Sequence, residues 1–392
     1  MLGSLVRARL AFAAATFLAV LPMNDRLSAA DNNAAEKNID VWLGTSRSKQ
    51  SKGIYHCMLN QETGKLSESS LVAEISGPGF IAKHPAQDVI YAVGSLDGVA
   101  SVAAYRITGR QKKASLKLIN SLPIGDGGAA HVSVHPSGNM LLTAQYGGGS
   151  TAAFSLAGDG ALKKQTALIK HQGGSKVVPG RQDAPHAHWT GFSPDNRFAF
   201  VPDLGLDQVV IYKVDEANAS IAEHGSAQAP AGGGPRHMKF HPNGKWAYVL
   251  NELSLSVSVY DYDAKTAAMT PKQTIPAVPI SDLAKELFKS SSEIRIHPGG
   301  NFAYSANRGH DTITVYRINP TDGMLTVVEL ENVRGATPRN FNLDPTGKWL
   351  LAGGQDSNTL ASFAVDKETG ELTYNRSIIN TPSPICVMFE NE

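Results

Sequence analysis

The sequence predicts an all-β fold, a seven-bladed β-propeller of four-stranded blades, and three observations predict it. A strand ending in x-Pro, followed by a Gly or Asn turn and a second strand, recurs six times along the 392 residues. Each recurrence carries four short strands within about 50 residues, the signature of a propeller blade. The first and last segments supply the strands of one further blade, which closes the ring by pairing N- and C-terminal strands.

The recurring landmark reads FIAKHP (80–85), VSVHPSGN (132–139), TGFSPDN (190–196), MKFHPNGK (238–245), IRIHPGGN (294–301) and FNLDPTGK (341–348). Its prolines fall at 85, 136, 194, 242, 298 and 345, between 47 and 58 residues apart. Each landmark leads into an apolar second strand (VIYAVGS, MLLTAQYG, FAFVPDLG, WAYVLNEL, FAYSANRG, WLLAGGQD). A third strand such as TITVYRIN follows, then a more polar fourth such as LTVVELENV. A single blade cannot bury both of its faces, so the units must stack around an axis. In the seventh blade, ICVMF (385–389) reads as the innermost strand, and IDVWLGT (39–45), GIYHCML (53–59) and the stretch from Leu71 to Ile75 as the other three. Cys57 and Cys386 then lie two strand spacings apart, about 9–10 Å. A disulfide needs Cα atoms within about 7 Å, so both thiols are expected to be free core groups.

Composition narrows the function classes. Lys and Arg number 36 against 35 Asp and Glu, a net charge of +1, which gives no sign of the basic surface a nucleic-acid partner requires, so none is expected. Arg7 and Arg9, the apolar run 10–21 and Ser28-Ala29-Ala30 have the order of a signal peptide. Residues 1–30 are expected to be removed, leaving one propeller domain over 31–392 with no membrane span, periplasmic or secreted. A mis-assigned start codon would instead leave the protein cytoplasmic. Neither HExxH nor paired CxxC occurs, so no metal site is predicted, and GGGS (147–150) and GGGP (232–235) lack the βαβ setting of a dinucleotide site. No cofactor is expected.

In a propeller, first-strand starts and second-strand ends converge on the axis. Here the first-strand starts offer His131, His186, His188, Arg236, His237, Glu293, Arg295 and Arg339, and the second-strand ends add Tyr146, Asp203, Glu252, Arg308 and His310. Histidines, arginines and a carboxylate aimed at one volume suit acid–base chemistry on an anionic substrate. The histidines of the His-Pro turns (84, 135, 241, 297) share their slot with Ser193 and Asp344, which points to turn chemistry. The long loop 170–188 carries Lys170, His171, Lys176 and Arg181, and reads as a lid, a phosphate clamp or a solvated excursion.

The strings PHAH (185–188), GPRH (234–237), NEL (251–253), EIRIHP (293–298) and NRGHD (307–311) together resemble the seven-bladed lactonase family, across about residues 39–389. That family includes propeller-type 6-phosphogluconolactonases and eukaryotic carboxy-muconate lactonizing enzymes. The resemblance implies hydrolysis of a sugar lactone, 6-phosphogluconolactone above all, within carbohydrate metabolism and the pentose phosphate pathway. It implies a catalytic group of His186 or His188, Arg236 and Glu252, with one of Arg295 and Arg308 as a further arginine. His237, Arg295, Arg308, His310 and Arg181 are the expected substrate-binding residues, and the expected partner is a small anionic sugar lactone met by a monomer. Two departures stand out: the export signature, where family members are often cytosolic, and LLAGGQDS in blade 6, where an Asn-Gln string would be expected. A muconate-type cycloisomerase and a non-catalytic exported binding platform are the alternatives. An ion pair locking Glu252 to Arg236 would favour the platform.

Overall fold

A computed structural model of the chain describes residues 37–283 and 289–390. The proposed signal segment 1–30 lies outside them. From Asn38 onward the chain forms one compact unit of seven four-stranded antiparallel sheets. Blades 1 to 6 span 76–123, 129–170, 191–228, 235–276, 290–332 and 338–380. Blade 7 takes its inner strand, Pro384–Phe389, from the end of the chain and its other three, Asn38–Thr45, Gly53–Asn60 and Ser70–Glu74, from the beginning. Val41 pairs with Phe389 and Leu43 with Val387, and the Trp42 indole donates to Glu390 at 2.7 Å. No helix among the described residues is long and apolar enough to cross a membrane.

The second strands read as unbroken apolar runs because both of their faces are buried. Successive side chains on a strand point to opposite faces, and here each face meets a different blade. Met140 and Leu142 pack toward Ala199 and Val201 of blade 3, while Leu141 packs into blade 1. Phe198 and Phe200 meet Ala247 and Val249 of blade 4, while Trp246, Tyr248 and Leu250 turn the other way to Ala303 and Tyr316 of blade 5. The hydrophobic core is therefore a ring of inter-blade layers around a polar axis.

The His-Pro turns do structural work between blades. His241 Nδ1 accepts the Asn243 amide at 3.1 Å, and Nε2 donates to Gly300 O in blade 5 at 2.8 Å. His84 and His297 repeat the arrangement, their Nε2 atoms meeting Gly138 O and Gly347 O, each at 3.1 Å. Tyr91, Tyr248 and Tyr304 add hydroxyl bonds to Gly160 O, Gly323 O and Gly370 O of the next blade, at 2.7, 2.9 and 3.0 Å. Cys57 and Cys386 are free and buried, on the third and first strands of blade 7; burial and then Asp40 push the Cys57 thiol up to about 12.

Candidate active site

The inner strands do more than line the axis, because each carries a bulge near its upper end, where the chain enters from the preceding blade. In blade 4, Pro235 pairs with Asn251 and His237 with Leu250, so Arg236 is an extra residue. In blade 6, Pro338 pairs with Gly354 and Asn340 with Gly353, which leaves Arg339 extra. Ala130 and Ile385 are the extra residues of blades 2 and 7. In blade 3, Ala187 bridges Asp203 and Gly191 pairs with Phe200, so His188–Thr190 face only Val201 and Pro202. A bulge re-aims a side chain out of the ladder. The bulged residues His188, Arg236, Arg339, Ala130 and Ile385, with Gly79, Phe80 and His237, wall a cavity of about 160 Å³ on the axis.

Beside this cavity the Glu252 carboxylate, in the turn after the second strand of blade 4, is shared by three guanidiniums. Its Oε2 accepts from Arg236 Nε at 2.9 Å and lies 3.1 Å from Arg308 Nη2, and its Oε1 accepts from Arg181 Nη2 at 2.7 Å. Burial alone would raise this carboxyl, but Arg308 and Arg236, with the Arg181 bond, outweigh burial and hold it down at about 2. Arg236 is 2% exposed. It also donates through Nη1 to Ser292 O, and burial and then Arg308 push it down to about 9, still cationic at neutral pH. Burial and Arg308 likewise lower Arg339. Three guanidiniums about one carboxylate leave an excess of positive charge before Arg339 is counted, which suits an anionic ligand.

The histidines divide by their partners. His237 is tied at both nitrogens: Nδ1 donates to Glu293 Oε1 at 3.1 Å and Nε2 faces Arg236 Nη1 at 3.2 Å. Asn340 donates to the other Glu293 oxygen. His186 stacks on Tyr146, with ring centroids 4.5 Å apart, and donates through Nδ1 to Tyr146 O at 2.8 Å. His188 lines the cavity, and its buried Nδ1 has no hydrogen-bond partner among the described residues. Burial, then Arg236 and His237, hold the His188 ring far below its usual value, hence neutral.

The loop 170–188 is pinned rather than open. His171 bonds Asp203 Oδ2 at 2.6 Å and the Tyr212 hydroxyl at 2.7 Å. Asp203 Oδ1 accepts the amides of His186, Gly205 and Leu206, which fixes the approach to His188. Gln182 is buried and donates to Leu204 O at 2.9 Å and Asp207 Oδ1 at 2.6 Å. Asp207 also takes the amides of Gly232 and Gly234, so Arg181 and the GGGPRH turn hang from one carboxylate.

Of the nine residues singled out from sequence, Glu252, Arg236, Arg308, Arg181, His186, His188 and His237 come together at the upper mouth. Two do not. Arg295 lies lower in the channel, with Nη2 3.9 Å from Glu293 Oε2. His310 turns to Thr312 Oγ1 at 2.8 Å and faces Asp282 at 4.0 Å. The arginine that joins Arg236 at Glu252 is therefore Arg308. Arg339 and Tyr146, whose hydroxyl accepts from Arg181 at 3.3 Å, belong to the site as well. Both were already among the axial candidates of the repeat, and the repeated Pro-Arg at 235–236 and 338–339 sets Arg339 in the same slot as Arg236. No group of three His, Cys, Asp or Glu among the described residues is placed to hold a metal ion.

A ring of blades with a cationic, histidine-bearing cavity at its upper mouth defines a propeller with a site suited to a small anionic ligand. Residues 40–389 match the family described as Lactonase, 7-bladed beta-propeller. The 6-phosphogluconolactonase of Bacillus subtilis is 35% identical over 348 residues, covering 89% of this chain and 97% of that protein. The 6-phosphogluconolactonase of Formosa agariphila is 33% identical, covering 83% and 91%. Among solved structures, the periplasmic gluconolactonase of Pseudomonas aeruginosa superposes with a TM-score of 0.81 at 28% identity, covering 90% of this chain and 99% of that one. The chain belongs to the seven-bladed β-propeller lactonase family, and it is a lactone-hydrolysing enzyme. The Glu252–Arg236 ion pair that would have favoured a binding platform is present, yet it is one edge of a cationic cluster beside a cavity, within a family of lactonases.

Proposed function

We propose that the enzyme hydrolyses 6-phosphoglucono-1,5-lactone to 6-phosphogluconate at the upper cavity, with His188 as general base. The observation that carries this is the neutral His188 ring, unbonded at Nδ1, in a cavity walled by Arg236 and Arg339. Glu252, held near 2 by its arginines, is too weak a base and serves instead to set their positions. His188 takes a proton from water as the water oxygen bonds to the lactone carbonyl carbon. Arg236 and Arg339 stabilise the oxyanion that forms. The bond from that carbon to the ring oxygen then breaks, and the proton passes from His188 to the leaving oxygen. The substrate phosphate meets Arg181, whose side chain is 40% exposed at the mouth.

The test follows acid release by the full chain from 6-phosphogluconolactone and from gluconolactone, each against an enzyme-free blank. A rate well above blank, higher for the phosphorylated lactone, is expected. A rate equal to blank with both, or turnover of muconates alone, overturns the proposal. We also propose that the chain is exported after loss of residues 1–30 and acts as a monomer. The support for export is its own N-terminal pattern and its likeness to the periplasmic gluconolactonase of Pseudomonas aeruginosa. Fractionation with N-terminal sequencing and light scattering check both.

A further inference from the structure

The reaction cavity opens to one side. At about 160 Å³ it is smaller than the roughly 300–1,000 Å³ of most small-molecule sites. It shares Gly79, Ala129 and Ile385 with an adjoining cleft of about 340 Å³, and the two together reach the usual size. The cleft runs across the upper ends of blades 7, 1 and 2, from Ser46 and Arg47 over Ser76 and Ser95 to Gly128. The guanidiniums stand on the other side of the axis: Arg236, Arg308 and Arg339 come from blades 4, 5 and 6.

Two glycines keep the cleft open. Neither Gly79 nor Gly128 lies in the left-handed region. A Cβ on Gly128 would meet no atom within 4 Å among the described residues. One on Gly79 would meet only Ile385 Cδ1 at 3.7 Å and Gly77 O at 3.9 Å, which are ordinary contacts. Gly94, on the same floor, differs: there a Cβ would stand 3.0 Å from Ile75 Cδ1 and 3.1 Å from Ser76 O. Neither strain nor packing therefore calls for glycine at 79 or 128, and their missing side chains leave room and uncovered peptide groups. Among the described residues no carboxylate lines the cleft, and its one cation, Arg47, is exposed to water. Serine hydroxyls and peptide groups together donate and accept hydrogen bonds without charge. They match a neutral ring of hydroxyls better than a phosphate or an apolar body.

We propose that this cleft is a subsite for a second sugar ring, so that the enzyme accepts aldonolactones carrying a glycosyl group. The lactone occupies the reaction cavity with its carbonyl toward Arg236 and Arg339, and the second ring lies over Gly79 and Gly128. The proposal rests on the placing of the lactone beside His188. The test compares lactobiono-1,5-lactone with glucono-1,5-lactone by acid release from the full chain, each against an enzyme-free blank. Calorimetry compares their hydrolysis products, lactobionate and gluconate. The expected preference for the two-ring compound is about tenfold or more in both kcat/KM and affinity, the scale of one or two net hydrogen bonds. Gly128→Leu, which puts a side chain into the cleft, should bring both ratios close to one. Equal values for the two compounds in either readout, or a preference that survives Gly128→Leu, overturns the proposal. If a thermal melt shows that Gly128→Leu does not fold, Ser76→Phe takes its place. Arg236→Gln should weaken gluconate and lactobionate alike. Gluconate bound at undiminished strength by Arg236→Gln would overturn the reaction cavity and the cleft with it. Gluconate weakened by Arg236→Gln, with no preference for lactobionate in the unaltered chain, would overturn the cleft alone.

Discussion

His188 and Glu252 are both buried and both ionisable, and their surroundings give them opposite tasks. Burial beside Arg236 and His237 keeps His188 uncharged, whereas three guanidiniums keep Glu252 charged. General-base action is worth about 10²–10⁴-fold, so His188→Asn is expected to lose kcat by that order with little change in KM, measured by acid release. Glu252→Gln removes the charge that holds three arginines together. It should reduce kcat/KM by about 10²-fold or more and lower stability by about 3–5 kcal/mol, the scale of a broken buried ion pair, read from a denaturant melt. If both variants retain full activity, the assignment of this cavity to the reaction fails. The kcat/KM profile should be flat above about pH 6.5 and fall on the acid side as His188 takes a proton, because its pKa in the fold lies below the usual 6.5. These roles were only half legible in the sequence. PHAH and NEL named the residues, but which of the two histidines faces the cavity depends on a bulge, and the part Glu252 plays in the group depends on the three guanidiniums around it.

Elements carry the positioning. Asp207 takes two glycine amides and the Gln182 side chain, so it ties the Arg181 loop to the Arg236 turn. Asp207→Ala leaves buried donors unmatched at about 1–3 kcal/mol each. The expected outcome is a raised KM with kcat less affected, together with a lower Tm, measured by steady-state kinetics and calorimetry. At Gly205 an added Cβ would stand 1.8 Å from Ala184 O. Because that contact is to backbone, Gly205→Ala must displace the segment that leads into His186 and His188, and both stability and activity should drop. The sequence showed that 170–188 is long and glycine-rich, which left lid, clamp and excursion open. Only the pairing of His171 with Asp203, and of Gln182 with Asp207, decides that the loop is anchored. His310 and Arg295 illustrate the converse: residues at the right place in the repeat, turned elsewhere by a neighbouring Thr312 and by their depth in the channel.

At the scale of the whole ring, stability is tied to closure and to its neutral core histidines. Six of the seven blades are local hairpin stacks, but blade 7 pairs residues almost 350 positions apart, as in Val41 with Phe389. A chain ending at Thr381 loses the inner strand of that blade and exposes its edge, so it is expected to give no cooperative thermal transition by calorimetry. His131, His188 and His237 are all held below their usual 6.5, with burial the leading cause. The unfolded chain therefore binds more protons than the folded one once pH drops below about 6.5. Their contribution is fully present above that pH and is lost as pH falls, by up to about 1.4 kcal/mol per pH unit for each. Glu252 adds a further loss between about 4.5 and 2. Melts from pH 8 to 5 should show Tm declining, and a flat profile would contradict the burial of these rings.

The sequence by itself determined the number of blades, their order, the closing strands and the free cysteines, because all four follow from a repeat period and the two-residue alternation of strands. It also determined the pool of polar residues near the axis, since strand starts and ends are read directly from the repeat. Tertiary structure decided which of them meet. A bulge shifts the register by one residue without a mark in composition, and that shift turns His188, Arg236 and Arg339 into one cavity. The meeting of the Phe80, His131 and His237 rings was half legible: each stands five residues before its landmark proline, but only the closed ring of blades shows that the three side chains touch across the axis.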